Sequence, residues 1–235
     1  MVPVRLHLAA GFLALTALLS GCGGDREVQG SPIGSASTAA EPVVDPAADA
    51  KAVQSVFDKY RTEAAAQNGA AVPALISPDT IAHYDTVVKL ARTAGPAEVA
   101  TVGMMDRLMI ARMRVEVPPD FATMDGTDLL VYGVDEGMID SDALEGNSIG
   151  DVRVDGDRAY APMLVDGEPA GADWEFVRTD AGWTFDLAAG FPLINEALTQ
   201  VAADGDMTED EFIFSVVELV TGTPVDASVW EVPTA

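Results

Sequence analysis

Alternating apolar and polar residues between positions 151 and 188 constrain the fold of this 235-residue chain more than any other feature. Side chains two positions apart on a strand share one face of a sheet, so this alternation predicts strands with one buried face. Turn pairs interrupt it at Asp155-Gly156, Asp166-Gly167 and Asp180-Ala181, and an Asp-Gly pair between alternating runs favours a hairpin. Four consecutive strands are predicted, over residues 151–154, 157–165, 174–179 and 182–188.

The last hairpin can be given a register, because Asp180 and Ala181 serve as its two turn residues. One face then carries three cross-strand pairs, Arg178 with Trp183, Phe176 with Phe185, and Trp174 with Leu187. The other face carries two, Glu175 with Asp186 and Val177 with Thr184. Like charges directly opposite one another disfavour burial, so we expect the aromatic face to be buried and the other face to meet water.

Helical signals lie on both sides of the strands. Capping or first-turn residues open helices at Asp45-Pro46, Ser77-Pro78, Pro96, Pro192 and Thr208. The helix from Pro96 is predicted to run to Pro118, and residues 121–134 are predicted to form one or two short helices. The Pro96 helix carries an apolar stripe of Val99, Val102, Met105, Leu108, Met109 and Met113. Such a stripe either packs in the core or lines an adaptable ligand site, since methionine side chains are flexible.

The order of elements predicts one α+β domain over residues 46–235, with N-terminal helices packed on a four-stranded antiparallel meander and two helices after it. The segment Gly182-Trp183-Thr184-Phe185-Asp186-Leu187, at the end of a run of hairpins, resembles the closing strand of nuclear transport factor two-like proteins. That resemblance implies a cone of helices in a curved sheet. It implies no activity, because members of this superfamily include both enzymes and binding domains.

The N-terminus has the pattern of a secretory signal, with Arg5 followed by an apolar run over residues 6–19. The run is about 14 residues long, which is short for a membrane-spanning helix of about 20. It ends in Leu19-Ser20-Gly21-Cys22, which resembles the lipobox of bacterial lipoproteins. The resemblance implies a signal peptide over residues 1–21, a diacylglyceryl group on Cys22 and a flexible tether over residues 22–45. The protein is then expected at the extracytoplasmic face of the cell membrane, anchored in the bilayer by its lipid.

Composition excludes some partners. The formal net charge is −25, so nucleic acid is not expected as a partner and anionic headgroups would repel the surface. Cys22 is the one cysteine, so an acylated chain has no disulfide and must be stabilised by its apolar core. The acidic surface either keeps an exported protein in solution or suits a cationic ligand.

Few residues offer catalytic chemistry. Gly146-Asn147-Ser148-Ile149-Gly150 matches a nucleophile motif, but a strand is expected after Ser148 where the motif needs a helix. His83 is the one histidine after residue 21, and it is interpreted either as a partly exposed helix residue or as an acid/base group. No catalytic residue, cofactor or metal ligand is assigned.

The segment from Asp204 to Phe212 is similar to the second half of an EF-hand loop. Gln200 and Ala202 stand where such a loop needs oxygen ligands at its first and third positions. Thr208 and Glu211 also form a capping box, which explains the same residues without calcium. We therefore expect a joint between two helices.

Two functions remain open at this point. The first is a non-catalytic lipoprotein that binds a small apolar ligand or an envelope protein. Its candidate pocket residues are Trp174, Phe176, Trp183, Phe185, His83 and Tyr84. The second is a small cone-fold hydrolase or isomerase that uses His83 as its acid/base group.

Overall fold

A computed structural model describes residues 45–138 and 146–233 of the chain. The signal peptide expected over residues 1–21, Cys22 and the tether as far as Val44 lie outside these described residues. Asp45–Ala235 forms one compact unit. Within the described ranges, no helix is both long enough and apolar enough to cross a bilayer.

The helices described before the sheet are α1 (Pro46–Ala65), α2 (Pro78–Thr93), α3 (Pro96–Val99), α4 (Met104–Glu116) and α5 (Gly126–Asp135). The first three begin at the residues that the sequence indicated, whereas the starts of α4 and α5 were not predicted. Asp45 accepts hydrogen bonds from the amides of Ala47 and Ala48, and Ser77 accepts one from the amide of Thr80.

The prediction of a single helix from Pro96 to Pro118 is wrong. This segment forms two helices, α3 and α4, and Gly103 is the residue just before α4. The side chain of Asn195, from a helix after the sheet, accepts a hydrogen bond of 2.8 Å from the amide of Met105. A Cβ atom at Gly103 would lie only 2.3 Å from the side-chain nitrogen, Nδ2, of Asn195. A side chain distant in sequence therefore caps α4, and the close approach requires glycine.

The strands form an antiparallel meander, which confirms the α+β class. They are β1 (Asn147–Ile149), β2 (Arg153–Asp155), β3 (Arg158–Val165), β4 (Glu168–Thr179) and β5 (Gly182–Asp186). Strands β1 and β2 pair with successive parts of β3, and β4 and β5 follow in order. The first predicted strand, over residues 151–154, corresponds to β2, whereas β1 is an additional strand that was not predicted.

The register predicted for the last hairpin is confirmed for every residue pair between β4 and β5 that the structure forms. The observed pairs include Phe176 with Phe185, Arg178 with Trp183, Glu175 with Asp186 and Val177 with Thr184. The predicted pair of Trp174 with Leu187 is wrong, because β5 ends at Asp186 and a 3-10 turn, Ala188–Gly190, follows. The first predicted turn is also displaced by one residue, since Asp155 pairs with Arg158 across Gly156 and Asp157.

The expectation that the second face of the hairpin meets water is wrong for β5. Thr184 and Asp186 are only 6% and 5% exposed. The chain entering α2 lies along this strand, and the amide of Ser77 donates to the carbonyl of Phe185 over 2.9 Å. The hydroxyls of Ser77 and Thr80 then donate to the Asp186 carboxylate, over 3.1 and 2.9 Å, so its burial is satisfied by hydrogen bonds.

Two helices follow the sheet, α6 (Phe191–Asp204) and α7 (Glu209–Thr221). The capping box predicted at Thr208 and Glu211 is confirmed by reciprocal hydrogen bonds at the start of α7. The Arg107 guanidinium of α4 pairs with the carboxylates of Glu209 and Asp210, and thereby joins α4 to α7.

Candidate functional site

The aromatic face of the sheet is packed against α1, as the sequence predicted. Phe176 and Phe185 are almost fully buried, and Trp174 and Trp183 nearly so. The Phe57 ring of α1 meets the rings of Phe176 and Phe185 edge-to-face, with centroids 6.3 and 5.5 Å apart. This region, called the aromatic core below, is the interface between sheet and helix.

A polar clamp joins α1 to the edge of the aromatic core. The Trp183 indole nitrogen donates to Asp49 over 3.0 Å, and the Arg178 guanidinium lies 2.6 Å from the other oxygen of that carboxylate. Arg178 also lies over the Trp183 ring, 4.3 Å from its centroid. The bond from Arg178, with a smaller effect from Trp183, holds the pKa of Asp49 below its usual value.

His83 belongs to an ion pair between helices. Its Nε2 atom lies 2.8 Å from a carboxylate oxygen of Asp106 on α4, and its ring packs edge-to-face against Phe191. The hydrogen bond to Asp106 raises the pKa of His83, although partial burial opposes this. Its side chain is 32% exposed, and no hydroxyl or thiol of a described residue hydrogen-bonds to the ring. The arrangement holds α2 against α4.

An apolar groove of about 120 Å³ opens between α4 and α5, and Tyr84 of α2 also lines it. We call it the methionine groove. Its apolar lining includes Met105, Leu108, Met109, Leu130, Val134 and Met138. Ligand sites for drug-sized molecules span about 300–1,000 Å³, whereas an engineered apolar cavity of about 150 Å³ binds benzene. The groove is therefore suited to one ring or a short aliphatic chain.

Helical periodicity explains why methionines line this groove. Met105, Leu108, Met109 and Arg112 stand at i, i+3, i+4 and i+7, so they share one face of α4. Met105 and Met109 are half-buried, whereas Met113 is fully buried in the core. The stripe therefore packs partly in the core and partly along the groove, and Met113 contributes to both. The flexible thioethers leave the groove adaptable.

A glycine inside α5 keeps the groove open. A Cβ atom at Gly133 would meet only the Met138 sulfur, at an ordinary contact distance of 3.6 Å. Glycine inside a helix costs about 0.5–1 kcal/mol relative to alanine, and neither crowding nor a left-handed backbone requires one here. This glycine is the sequence signal that could have pointed to the groove.

Two side chains outside the described groove lining form a polar network with Arg112, which belongs to it. The Nε atom of Arg112 donates to Glu116 over 2.9 Å, and the Tyr132 hydroxyl donates to the same carboxylate oxygen over 3.2 Å. Burial, with a further effect of the Glu116 charge, raises the pKa of Tyr132 to about 12. Tyr132 therefore stays protonated at neutral pH and keeps its bond to Glu116.

Among the described lining residues, Tyr84 is the one polar residue besides Arg112. Its hydroxyl makes no hydrogen bond with any residue that the structure describes. Burial, followed by the nearby Tyr60 and Asp106, raises the pKa of Tyr84 above its usual range, so Tyr84 stays uncharged at neutral pH.

The other candidate motifs do not assemble a reactive site. Ser148 lies inside β1, so it does not occupy the turn from strand to helix that a nucleophile elbow needs. Glu211 is bonded to Thr208, and Asp204 accepts a bond from Gln200. Within residues 45–138 and 146–233, no group of three or more histidine, cysteine or acidic side chains could hold a metal ion.

No protein-family model, curated protein or solved structure matches this chain. Its function is therefore argued from the chemistry of its own residues.

Proposed function

We propose that this protein is a membrane-anchored extracytoplasmic lipoprotein whose folded domain binds a small apolar group without catalysing a reaction. The observation that carries the binding part is the methionine groove, an apolar opening that is small, partly enclosed and bordered by few polar groups. The anchoring part is supported by the lipobox at Cys22. The loose resemblance to nuclear transport factor two-like cones is supported by helices that precede and cover an antiparallel sheet.

The composition of the groove supports binding rather than catalysis. The lining residues within 45–138 and 146–233 include no histidine, serine, cysteine or acidic residue, so these residues supply neither a strong nucleophile nor a carboxylate or imidazole base. His83, on which the hydrolase or isomerase hypothesis depends, is outside the lining and is paired with Asp106.

Filling the groove tests the binding proposal. Gly133→Leu places an aliphatic side chain in the opening and should reduce binding of benzene, a single apolar ring, by about tenfold or more. The matched control is Leu219→Gln, since Leu219 of α7 is 77% exposed and is not part of the groove lining. Calorimetric titration gives the affinity, and circular dichroism checks that each variant is folded. Equal benzene binding by wild type and Gly133→Leu would contradict the proposal.

Membrane fractionation tests the anchor. In the lipobox interpretation, Cys22→Ala leaves the protein unprocessed or releases it from the membrane, because no acyl chains can be attached. Ser20→Ala keeps a small residue at its position and should leave the protein in the membrane fraction. An unmodified Cys22 in the intact mass of membrane-extracted mature protein would refute the anchor.

A further inference from the structure

Among the residues that the structure describes, Arg112 is the one charged residue in the lining of the methionine groove. Its side chain is only 16% exposed. The Nε atom is bonded to Glu116, but the two terminal nitrogens donate no hydrogen bond to any described residue. A guanidinium has five donors in a planar fork, so most of its hydrogen-bonding capacity is unused.

The other two arginines of α4 use both of their terminal nitrogens. Arg107 bonds Glu209 and Asp210 with them. Arg114 donates through its terminal nitrogens to four backbone carbonyls, those of Leu90, Ala94, Val229 and Glu231. Arg107 and Arg114 therefore tie α4 to neighbouring segments, whereas the hydrogen bond of Arg112 to Glu116 stays within α4.

Glu116 holds the guanidinium in place. It receives both the Arg112 Nε bond and the Tyr132 hydroxyl bond on one oxygen, so its charge is partly satisfied within the protein. Because the Nε atom is engaged, the terminal nitrogens are the donors left for a ligand. An arginine fork suits the two oxygens of a carboxylate.

We propose that the methionine groove binds a small monocarboxylate whose apolar part is a single ring or a short chain. The carboxylate bonds the terminal nitrogens of Arg112, and the apolar part lies among Met105, Met109 and Met138. The inference rests on the proposed function and adds the charge of the ligand to it. Charge complementarity selects this ligand, because an anion is attracted to Arg112, the one cation among the described lining residues, although the whole chain carries a net charge of −25.

Three ligands of equal length and different charge test this proposal, namely hexanoate, hexanol and hexylamine. They are titrated at pH 7 by calorimetry into the chain from residue 22 onward, with Cys22→Ala to prevent acylation. Hexanoate should bind at least about tenfold more tightly than hexanol, and hexylamine most weakly. The preference for hexanoate over hexanol should fall as the salt concentration is raised. This measurement uses the same protein without any substitution in the groove.

Two variants assign that preference to Arg112. Arg112→Gln should make hexanoate no tighter than hexanol, while hexanol binding is kept. Arg112→Lys should keep part of the preference, because the charge remains but the planar fork is lost. The control is Arg158→Gln, which removes a 47%-exposed cation from β3 and should leave the preference unchanged.

The outcomes separate this inference from the proposed function. Hexanol binding without a preference for hexanoate, or a preference that survives in Arg112→Gln, overturns the inference and leaves the apolar site intact. Binding of none of the three ligands overturns both.

Discussion

The aromatic core and the methionine groove are both built from large apolar side chains, yet one is filled and the other is open. In the aromatic core, rings from α1 and two strands pack edge-to-face and leave almost no surface exposed. In the groove, flexible thioethers and a glycine leave a volume of about 120 Å³. Rigid aromatic rings thus contribute to stability, whereas the methionines around Gly133 make a surface that can adapt to a ligand.

The largest predicted effect is on the filled region. Trp183→Ala should lower the free energy of unfolding by about 3–5 kcal/mol, because it leaves a cavity and removes the indole partner of Asp49. Chemical denaturation followed by far-UV circular dichroism measures this. Met109→Ala, in the open region, should cost clearly less. Equal losses from the two variants would mean that the groove is as tightly packed as the core.

Two glycines of α5 provide a sharper comparison. A Cβ atom at Gly126 would lie 2.3 Å from the carbonyl oxygen of Ile81, so Gly126→Ala should destabilise the domain by about 1–3 kcal/mol through overpacking. Thermal melts of the purified variant give the sign of the change. An unchanged melting temperature would contradict the close contact between α5 and α2.

Gly133 is on the same helix but borders the groove, so alanine there should have the opposite effect. Gly133→Ala should raise stability by about 0.5–1 kcal/mol, because the new methyl group makes only an ordinary contact with the Met138 sulfur and alanine favours the helix. The same thermal melts compare it with Gly126→Ala. A loss of stability in Gly133→Ala would show that the opening is already occupied.

The smallest predicted effect is the pH dependence of the His83 pair. Its pKa is raised in the folded state, so the stabilisation is complete below the unfolded value of about 6.5 and is lost as pH rises through the folded pKa. The free energy of unfolding is measured between about pH 5.5 and 8.5, a range that spans the unfolded histidine pKa of about 6.5. It should fall toward the upper end of this range. His83→Gln should flatten this decline. The other histidine, His7, lies in the predicted signal peptide, so it is not expected to contribute in the mature chain.

The local chemistry of the chain predicted much of the fold. Asp180 and Ala181 determined the hairpin register, and Thr208 with Glu211 predicted the start of α7. These features depend on residues close in sequence. The division between α3 and α4 depends on Asn195, and the burial of Asp186 depends on Ser77 and Thr80. Such contacts join residues about ninety or more positions apart, so periodicity alone could not show them.

The candidate site could be predicted only in part. The sequence showed the methionine stripe. Which of its residues stay half-buried along the groove depends on how α4 packs against α5. Tyr84 was named as a pocket residue and does line the groove, whereas Trp174, Phe176, Trp183 and Phe185 lie in the aromatic core. Arg112 was missed, because its unused donors are visible only once the partners of every arginine in α4 are known.

Methionine methyl NMR tests most directly the claim that the groove, and not the aromatic core, is the binding site. Hexanol is titrated into protein labelled with ¹³C at its methionine methyl groups. The account predicts saturable shifts at Met105, Met109 and Met138, and none at Met163 of β3 or Met207, with all shifts abolished by Gly133→Leu. Shifts at Met163 that persist in Gly133→Leu, with the groove methyls unmoved, would contradict it.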